Sequence, residues 1–597
     1  MRLSKAMTGL IGGTVAAMIS LPASAEQVSL NGVSQFRLEN ADKEPENWLT
    51  VFQNYSSHRF SRLDQINRDN VANLRPVFSV PISTAIDTGG NAQLQGAPLV
   101  DGGMMFFEDG WGTMYKVDVT SGDRGTVLWK ADPGVSRDES RRTRGIAMWG
   151  DKVYGNQVDG RVMAIDRSNG EFIWDEQIAR VGIEWDFYGK EQFTSAPLAV
   201  EGKLIVSQAF GDAATRGWAA ALDMETGAEL WRTYTVPAPG EPGAETWLDD
   251  HNAWKTGGGG MWTTGSYDVE QRVYIAGTGN PVPMFDPEYR PGDNLFTNTV
   301  IAFDIDDGSM KWYFQYVPNE SWDYDEQGVH VLIDIPGANG SVKKTVQHFG
   351  RNGFFYVLDR TNGEFINGEQ YVDNLNWTAG LDPKTGMPVE YDPNLAVQTF
   401  IPETHFMRGD PVEVACPNYH GGARWQPPAL NPNTMLLYQG ISEGCFSMKV
   451  EPVMALSPDG GIDNDAPAGR NGRIGDAAFD RYGAILSVNA LTGELVRKNN
   501  QPYDNLAGIL ATAGGLIFSG TLDGSVTAYN DTTLQQMWHF NTGISFKSPP
   551  ITYAFGGKQY IAIMAGGDAG PYASRGFEGD PVLANMNSGA MLFVFAL

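Results

Sequence analysis

The sequence has few residues of the kinds that build redox or metal centres into a chain. Two cysteines in 597 residues cannot form a zinc ribbon, an iron–sulfur site or a disulfide framework, and no CxxCH motif attaches a haem. The seven histidines follow no transition-metal spacing, and neither a P-loop nor a GxGxxG motif occurs. A formal charge of −28 argues against nucleic acid or an anionic lipid surface as the main partner. Any redox centre must therefore be a bound cofactor.

Apolar residues are plentiful enough for a large core. Hydrophobic residues make up 42% of the chain and aromatic residues 11%, which excludes intrinsic disorder. Glycine is abundant, with 71 residues, so a fold rich in tight turns is favoured.

Residues 1–25 have the pattern of a cleavable signal peptide. Arg2 and Lys5 precede an apolar stretch, residues 7–21, and a small-residue cleavage site follows. An N-terminal core helix is the alternative. No later segment approaches the length of a membrane span, so the sequence predicts an exported periplasmic protein without one.

An internal repeat runs through the rest of the chain. Each copy has an apolar-x-Asp segment, then a turn, mostly with glycine, and in most copies a tryptophan. Adjacent copies without insertions lie roughly 41 to 57 residues apart, which is typical of four-stranded propeller blades. The copies are residues 117–129, 164–174, 221–231 and 302–312, with weaker copies at 357–366, 487–496 and 528–538.

The repeat predicts an all-β fold, an eight-bladed β-propeller of four-stranded antiparallel blades, as a single domain over residues 26–597. Seven blades correspond to the visible copies, and an eighth is inferred around residues 423–440. The strand run at residues 591–596 is predicted to close the ring by pairing with N-terminal strands. A solenoid of the same hairpins is the structural alternative. A closed ring has one central channel, where ligands usually bind.

Carboxylates and an asparagine mark the most informative segments. The motif GTGNP contains Asn280, and WDYD places Asp323 and Asp325 two residues apart. If WDYD is extended, both carboxylates point to one side, where they repel each other unless a cation separates them or one stays protonated. Oxygen donors of this kind suit a hard cation better than zinc or copper. Solvated surface acids are the alternative.

These motifs resemble those of the pyrroloquinoline quinone (PQQ)-dependent alcohol dehydrogenases, the methanol dehydrogenase superfamily of periplasmic eight-bladed propellers. The resemblance covers nearly the whole mature chain, and GTGNP, RPGDN and WDYD occur in the family's order and spacing. It implies that Asn280 and Asp323 bind a metal and that Asp323 is the catalytic base. It also implies that Asp325 is a further metal ligand, the one that marks members using a trivalent lanthanide instead of calcium. The extra carboxylate suits a 3+ ion.

Four further positions match the family residue by residue. The resemblance implies that PQQ lies on the indole of Trp262 and that Arg351, a catalytic partner of Asp323, hydrogen-bonds the reactive quinone oxygens. It also implies that Arg144 pairs with a PQQ carboxylate and that the Thr194 hydroxyl contacts the cofactor.

Both cysteines are accounted for by the same resemblance. Cys416 and Cys445 match a buried structural disulfide, which an oxidising periplasm permits. None remains for the adjacent cysteine pair that the best-known members carry under the cofactor, at positions near Asp138 and Glu139 here.

Three other positions depart from the family pattern. Asp212 stands where the first metal ligand is usually Glu, Gln95 where a Glu is common, and Arg424 where an Asn usually meets PQQ. Asp is one methylene shorter than Glu, so the metal must sit differently or Asp212 does not bind it. These departures place the chain nearer the sorbose- and polyol-type quinoproteins, which share the ETW segment at residues 245–247.

The resemblance implies oxidation of an alcohol, polyol or aldehyde by hydride transfer to metal-bound PQQ. The expected cation is a lanthanide, with calcium as the alternative, and the expected electron acceptor is a separate periplasmic cytochrome c. Homodimer formation stays open. The rival functions are a non-catalytic periplasmic propeller scaffold and a calcium-dependent quinoprotein of the sorbose or sugar type.

Overall fold

The structure is a computed structural model that describes residues 32–82, 92–136, 141–179, 191–409, 413–451, 473–566, 577, 579–586 and 589–597. The signal peptide predicted for residues 1–25 lies outside these ranges. The two α-helices within them are short, α1 (Gln35–Glu39) and α2 (Pro581–Ala584), and neither has the length needed to span a bilayer. The 3-10 turns lie at Ala41–Lys43, Val71–Asn73, Gly211–Ala213, Ala244–Thr246, Ala253–Thr256, Pro287–Tyr289 and Ala338–Gly340.

Antiparallel strands form eight blades around a ring, in agreement with the sequence prediction; each blade has four antiparallel strands, and an additional strand extends the sheets of blades 6 and 7. Three strands come first in the chain: β1 (Phe60–Ser61), β2 (Arg75–Pro81) and β3 (Ala92–Leu94). Blade 1 contains β4 (Leu99–Asp101), β5 (Met104–Glu108), β6 (Met114–Asp118) and β7 (Thr126–Ala131). After β8 (Arg141–Thr143), blade 2 contains β9 (Ala147–Trp149), β10 (Lys152–Asn156), β11 (Arg161–Asp166) and β12 (Phe172–Gln177).

Blades 3 to 5 repeat this plan. Blade 3 contains β13 (Leu198–Val200), β14 (Lys203–Ser207), β15 (Trp218–Asp223) and β16 (Glu229–Tyr234). Blade 4 contains β17 (Ser266–Asp268), β18 (Val273–Gly277), β19 (Thr299–Asp304) and β20 (Met310–Gln315). Blade 5 contains β21 (Val331–Pro336), β22 (Val342–Phe349), β23 (Phe354–Asp359) and β24 (Phe365–Gln370).

The last three blades depart from the plan in detail. After β25 (Glu413–Ala415), blade 6 contains β26 (Ala429–Asn431), β27 (Leu436–Val450), β28 (Arg473–Asn489) and β29 (Leu495–Gln501). Blade 7 contains β30 (Leu510–Thr512), β31 (Leu516–Gly520), β32 (Ser525–Asn530) and β33 (Gln536–Asn541). Blade 8 contains β34 (Ile551–Phe555), β35 (Lys558–Gly566) and β36 (Ala590–Ala596), and β2 is its outermost strand.

The ring closes through the pairing of the two ends of the chain. Strand β2 pairs with β36 in antiparallel register, with Arg75 opposite Ala596 and Pro81 opposite Met591. The predicted closure of the ring by residues 591–596 is therefore confirmed, and a solenoid is excluded. Since β2 precedes blade 1 in the chain, blade 8 joins the N-terminal and C-terminal ends of the propeller in one sheet.

The sequence repeat corresponds to the corner between the third and outermost strands of a blade. In blade 1, Asp118 accepts a hydrogen bond from the Thr120 N–H at 2.8 Å, which shapes the turn. The Trp129 indole N–H then donates to the Arg167 carbonyl of blade 2 at 3.2 Å. A Cβ at Gly170 would lie 2.8 Å from the Trp129 ring, so only glycine allows this packing. The repeat therefore builds the interface between neighbouring blades.

The predicted position of the eighth blade is wrong. Residues 423–440 supply β26 and part of β27, which belong to blade 6 together with the repeat copy at residues 487–496. The blade without a visible copy is blade 8. Its third strand, β36, is not followed by a turn to the outermost strand, because that strand comes from the N-terminal region, so the Asp–turn–Trp corner is absent.

Candidate active site

A cavity of about 480 Å³ lies where the eight blades converge. Its volume is in the range typical of small-molecule sites. Each blade contributes to the lining from the segment that comes a few residues before its innermost strand. One such residue from each of blades 1 to 8 is, in order, Gln95, Arg144, Thr194, Trp262, Asp323, Arg424, Leu506 and Lys547.

Two carboxylates and one guanidinium form the charged centre of this cavity. Arg351 donates from Nη2 to Asp323 Oδ2 at 3.0 Å and from Nη1 to Asp325 Oδ2. The other oxygen of Asp325, Oδ1, accepts the Asn280 backbone N–H at 2.8 Å. Asp323 has a φ of 66°, so the two carboxylates converge through a turn instead of an extended strand. The sequence prediction that both point to one place holds, but the local conformation differs.

The local charges explain the protonation tendencies of these groups. Burial raises the pKa of Asp323 well above its usual range; Arg351 opposes this effect, and the carboxylates of Asp325 and Asp212 reinforce it. Burial lowers the pKa of Arg351, but attraction by Asp323 and Asp325 outweighs it, and the pKa is raised. Arg351 therefore remains a cation that offsets the repulsion between the two carboxylates.

Two glycines allow the charged groups to approach this closely. A Cβ at Gly279, in the GTGNP motif, would lie 2.5 Å from Asp325 Oδ1. Gly421 has a φ of +69°, and a Cβ there would lie 1.9 Å from Arg351 Cγ. The Arg351 side chain is further fixed by the Tyr419 carbonyl, which accepts from Nε at 3.0 Å. Side chains at either glycine would displace the residues that meet in the cavity.

An aromatic and basic wall lies beside the charged centre. Arg144 donates from Nη1 to Thr194 Oγ1 at 2.6 Å and to the Trp262 carbonyl at 2.8 Å, and its guanidinium lies 4.6 Å from the Trp262 ring centre. The guanidinium of Arg424 lies 4.9 Å from the Trp425 ring centre. Burial lowers the pKa of Arg144 well below its usual range, and it lowers the pKa of Arg424 to about 9.

Several polar atoms of this wall have no hydrogen-bond partner among the described residues. They are Nε of Arg144, Nε of Arg424 and Oε1 of Gln95, all of them buried. Buried N–H groups without partners are costly, so their presence in a cavity indicates that a polar ligand satisfies them. The planar indole of Trp262 and the nearby guanidinium groups fit a flat anionic ring system such as PQQ, an aromatic tricarboxylate.

The oxygen donors suit a hard cation. Asp212, Asp323 and Asp325 all line the cavity, and Asn280 contacts Asp325 through its backbone. Among the described residues no three acidic, histidine or cysteine side chains are grouped closely enough to be a preassembled metal site. In this structure the Arg351 guanidinium bridges one oxygen of each of the two carboxylates.

The structure brings the predicted site residues together. Eight of them line the cavity: Gln95, Arg144, Thr194, Asp212, Trp262, Asp323, Asp325 and Arg424. Asn280 and Arg351 contact these residues from behind the wall. Cys416 and Cys445 form a disulfide with an S–S distance of 1.99 Å. The positions near Asp138 and Glu139, where the cysteine pair is missing, lie in a segment outside the described ranges.

Eleven lining residues escaped the sequence prediction, among them Tyr419, Trp425, Leu506 and Lys547. The signal that could have found three of them is their place in the repeat. Trp425, Leu506 and Lys547 lie just before an innermost strand, as Arg144 and Thr194 do. Because no side-chain motif marks these segments, only correct placement of all eight blades would have identified them.

The chain is similar to known proteins over almost its whole length. The family described as PQQ, "Glucose/ethanol/alcohol dehydrogenase, beta-propeller domain", matches residues 48–371. The quinoprotein alcohol dehydrogenase PedH of Pseudomonas putida is 32% identical, with 95% of this chain and 93% of that protein covered. The quinoprotein ethanol dehydrogenase of Pseudomonas aeruginosa is 30% identical, with 89% and 87% covered. The solved structure of a europium-containing methanol dehydrogenase superimposes with a TM-score of 0.82 at 28% identity, covering 94% of this chain and 100% of that one.

Proposed function

This chain belongs to the PQQ-dependent alcohol dehydrogenases, and we propose that it oxidises an alcohol or polyol in the periplasm with Asp323 as its catalytic base. The observation that carries the proposal is the meeting of Asp323, Asp325 and Arg351 beside Trp262 in the axial cavity. The rival function of a non-catalytic scaffold is set aside, because the relatives that cover this chain are named as alcohol dehydrogenases.

The wall residues hold and orient the cofactor. Trp262 would offer the face for the PQQ ring, and Arg144 with Thr194 would hold a PQQ carboxylate. The Arg144 guanidinium already touches both Thr194 and Trp262, so these three residues are arranged together in the cavity. Gln95 and Arg424, each with a buried polar atom lacking a partner among the described residues, provide further contacts.

The acidic centre handles the proton of the substrate. Bound PQQ would supply the hydride acceptor, and a cation held by Asn280, Asp323, Asp325 and Asp212 would act as a Lewis acid. Asp323 Oδ2 would accept the proton of the substrate hydroxyl, and the ionised carboxylate that this requires depends on Arg351 and a bound cation, because burial raises the pKa of Asp323. Arg351, 3.0 Å from this oxygen, favours that ionised form and would be the residue that hydrogen-bonds the quinone oxygens.

A lanthanide is the proposed cation. Asp325 supplies a carboxylate beyond Asn280 and Asp323, and each added negative charge favours a 3+ over a 2+ ion. The solved europium-containing methanol dehydrogenase is a protein of the same fold that holds a lanthanide, which supports this assignment. Calcium remains the rival, since Asp212 is shorter than the usual Glu.

The deciding experiment reconstitutes purified protein with PQQ and either Ca²⁺, La³⁺ or Ce³⁺, with an artificial dye as electron acceptor. We expect turnover of alcohols or polyols with a lanthanide and much less with calcium. Absence of turnover across a panel of alcohols, aldehydes and sugars would contradict the function. Equal activity with calcium would contradict only the choice of metal.

A periplasmic cytochrome c is the proposed acceptor. No CxxCH motif occurs in the chain, so electrons must leave to another protein. The formal charge of −28 favours a partner with a basic surface, and such an association weakens as salt rises. Reduction of a basic cytochrome c by the alcohol-loaded enzyme, slowed at high ionic strength, would support this partner. Detection of a mature N-terminus near residue 26 in a periplasmic fraction would support the location.

A further inference from the structure

Glu326 is a fully buried acid that lies beside the site. The reaction described above assigns it no role. Its side chain is 0% exposed, and it follows Asp325 directly in the chain. Its Oε2 accepts the Arg351 backbone N–H at 3.1 Å and lies within hydrogen-bond distance of His348 Nε2, at 2.9 Å. A carboxylate so far from water is costly unless its contacts compensate.

A second layer of buried rings supports Glu326 from behind. His348 stacks on His330 with ring centres 4.0 Å apart and planes 5° apart. His330 Nε2 in turn lies 2.9 Å from the Tyr316 hydroxyl. Both histidines and the tyrosine are almost completely buried. His348 is therefore held in one place and presents Nε2 to Glu326.

These contacts close a loop around the charged centre. Asp325 and Glu326 are adjacent in the chain, Glu326 fixes the Arg351 backbone, and the Arg351 guanidinium returns to Asp325. The position of the guanidinium relative to the carboxylates therefore depends on where Glu326 holds the Arg351 main chain. Asp323, at 3.0 Å from the same guanidinium, depends on it as well.

We propose that Glu326, held by His348, is a positioning residue that fixes Arg351 against Asp323 and Asp325. The inference rests on the function proposed above, in which Arg351 meets the quinone and Asp323 the substrate. Glu326 itself contacts neither, because it does not line the cavity. Its effect reaches the reaction through the Arg351 main chain.

The test compares Glu326→Leu with Glu326→Gln in the PQQ- and metal-loaded enzyme. Leu removes both acceptor contacts, and we expect kcat to fall on the order of 10²-fold, as misplaced catalytic groups do, with KM for the alcohol changed less than about twofold. Gln keeps an oxygen that can accept the Arg351 N–H, so it restores most of the activity. A change in KM without a fall in kcat would overturn the proposal. An equal fall in kcat in Glu326→Leu and Glu326→Gln would overturn it as well.

A matched control separates positioning from general stability. Glu443 is also a buried glutamate; it accepts the Asp373 backbone N–H at 3.1 Å and pairs with Lys498, and it does not line the cavity. Glu443→Leu should lower the melting temperature without the selective loss of kcat. If Glu443→Leu reproduces the Glu326→Leu kinetics, the role of Glu326 is only structural.

A double-mutant cycle asks whether Glu326 acts through Arg351. In an Arg351→Met background, adding Glu326→Leu should change kcat/KM and the PQQ dissociation constant little beyond the effect of Arg351→Met alone. Quenching of tryptophan fluorescence measures the PQQ dissociation constant without turnover. Additive losses would refute the proposal. If Glu326→Leu does not fold, His348→Phe replaces it in the test, because this variant keeps the stack on His330 but removes Nε2. Unchanged PQQ affinity and kcat in His348→Phe would also refute the proposal. Wild-type protein that binds no PQQ and oxidises no alcohol would instead contradict the proposed function.

Discussion

The choice between a trivalent and a divalent cation depends on Asp325. In the structure its Oδ1 accepts the Asn280 N–H at 2.8 Å and its Oδ2 meets Arg351. Asp325→Asn keeps the shape of the side chain and the Oδ1 acceptor, and removes one negative charge. The variant therefore removes the charge with little change in side-chain size, and it also replaces the Oδ2 acceptor that faces Arg351 with an N–H donor.

Coulomb's law gives the size of the expected effect. At an effective dielectric constant of about 20, two unit charges 4 Å apart interact by about 4 kcal/mol. Loss of one carboxylate charge at that separation weakens the attraction for a 2+ ion by about 8 kcal/mol and for a 3+ ion by about 12 kcal/mol. Solvation reduces both figures, and the prediction rests on their difference. About 4 kcal/mol corresponds to an upper bound of about 10³-fold in selectivity.

The assay titrates PQQ-loaded protein with La³⁺ and with Ca²⁺ and compares the apparent dissociation constants. We expect Asp325→Asn to weaken La³⁺ binding much more than Ca²⁺ binding, so that their ratio falls by 10- to 10³-fold. Asp382→Asn, at an exposed turn, is the control and should leave the ratio unchanged. Equal weakening of both ions, or no weakening, would refute the reasoning that Asp325 selects by charge.

Three further changes probe the site and the fold. Asp323→Asn should abolish turnover with either ion while PQQ still quenches tryptophan fluorescence; residual turnover near wild type would exclude Asp323 as the base. Gly421→Ala places a methyl group 1.9 Å from Arg351 Cγ and should lower kcat/KM. The control is Gly543→Ala, whose Cβ meets nothing within 4 Å and which should lower kcat/KM much less. Equal effects of the two variants would point to backbone strain alone. Burial raises the pKa of Asp109 to about 6, above its unfolded value, so stability should fall by up to about 3 kcal/mol as pH rises from about 4 to 6. Asp109→Asn should flatten that dependence of the melting temperature, and an unchanged slope would contradict the assignment.

The blade count was predictable because it depends on local pattern. Each Asp–turn–Trp copy encodes one corner between a third and an outermost strand, and the tryptophan of one blade packs on the glycine of the next, as Trp129 does on Gly170. The position of the eighth blade was not predictable in this way. Its outermost strand, β2, comes from the other end of the chain, so no turn sequence marks the blade.

The chemistry of the site was predictable only as residue types. GTGNP and WDYD indicated oxygen donors for a hard cation, and the family resemblance assigned roles to Trp262, Arg144 and Arg351. The conformation of Asp323 was not evident, because a positive φ at an aspartate is decided by surrounding contacts and not by its own preference. Glu326 was not found either, since an acid next to two other acids gives no sign of being buried.

By itself the sequence determined the repeat, the all-β ring and the set of side chains available for binding a quinone and a cation. These properties follow from periodic patterns and short motifs, which act over a few residues. Only the tertiary structure decided which residues meet, because the cavity is lined by segments from all eight blades that lie far apart in the chain. The pairing of Arg351 with Asp325, and the support of Arg351 by Glu326 and His348, exist only once blade 5 is folded, because these contacts join the segment before β21 to the end of β22 and the turn after it.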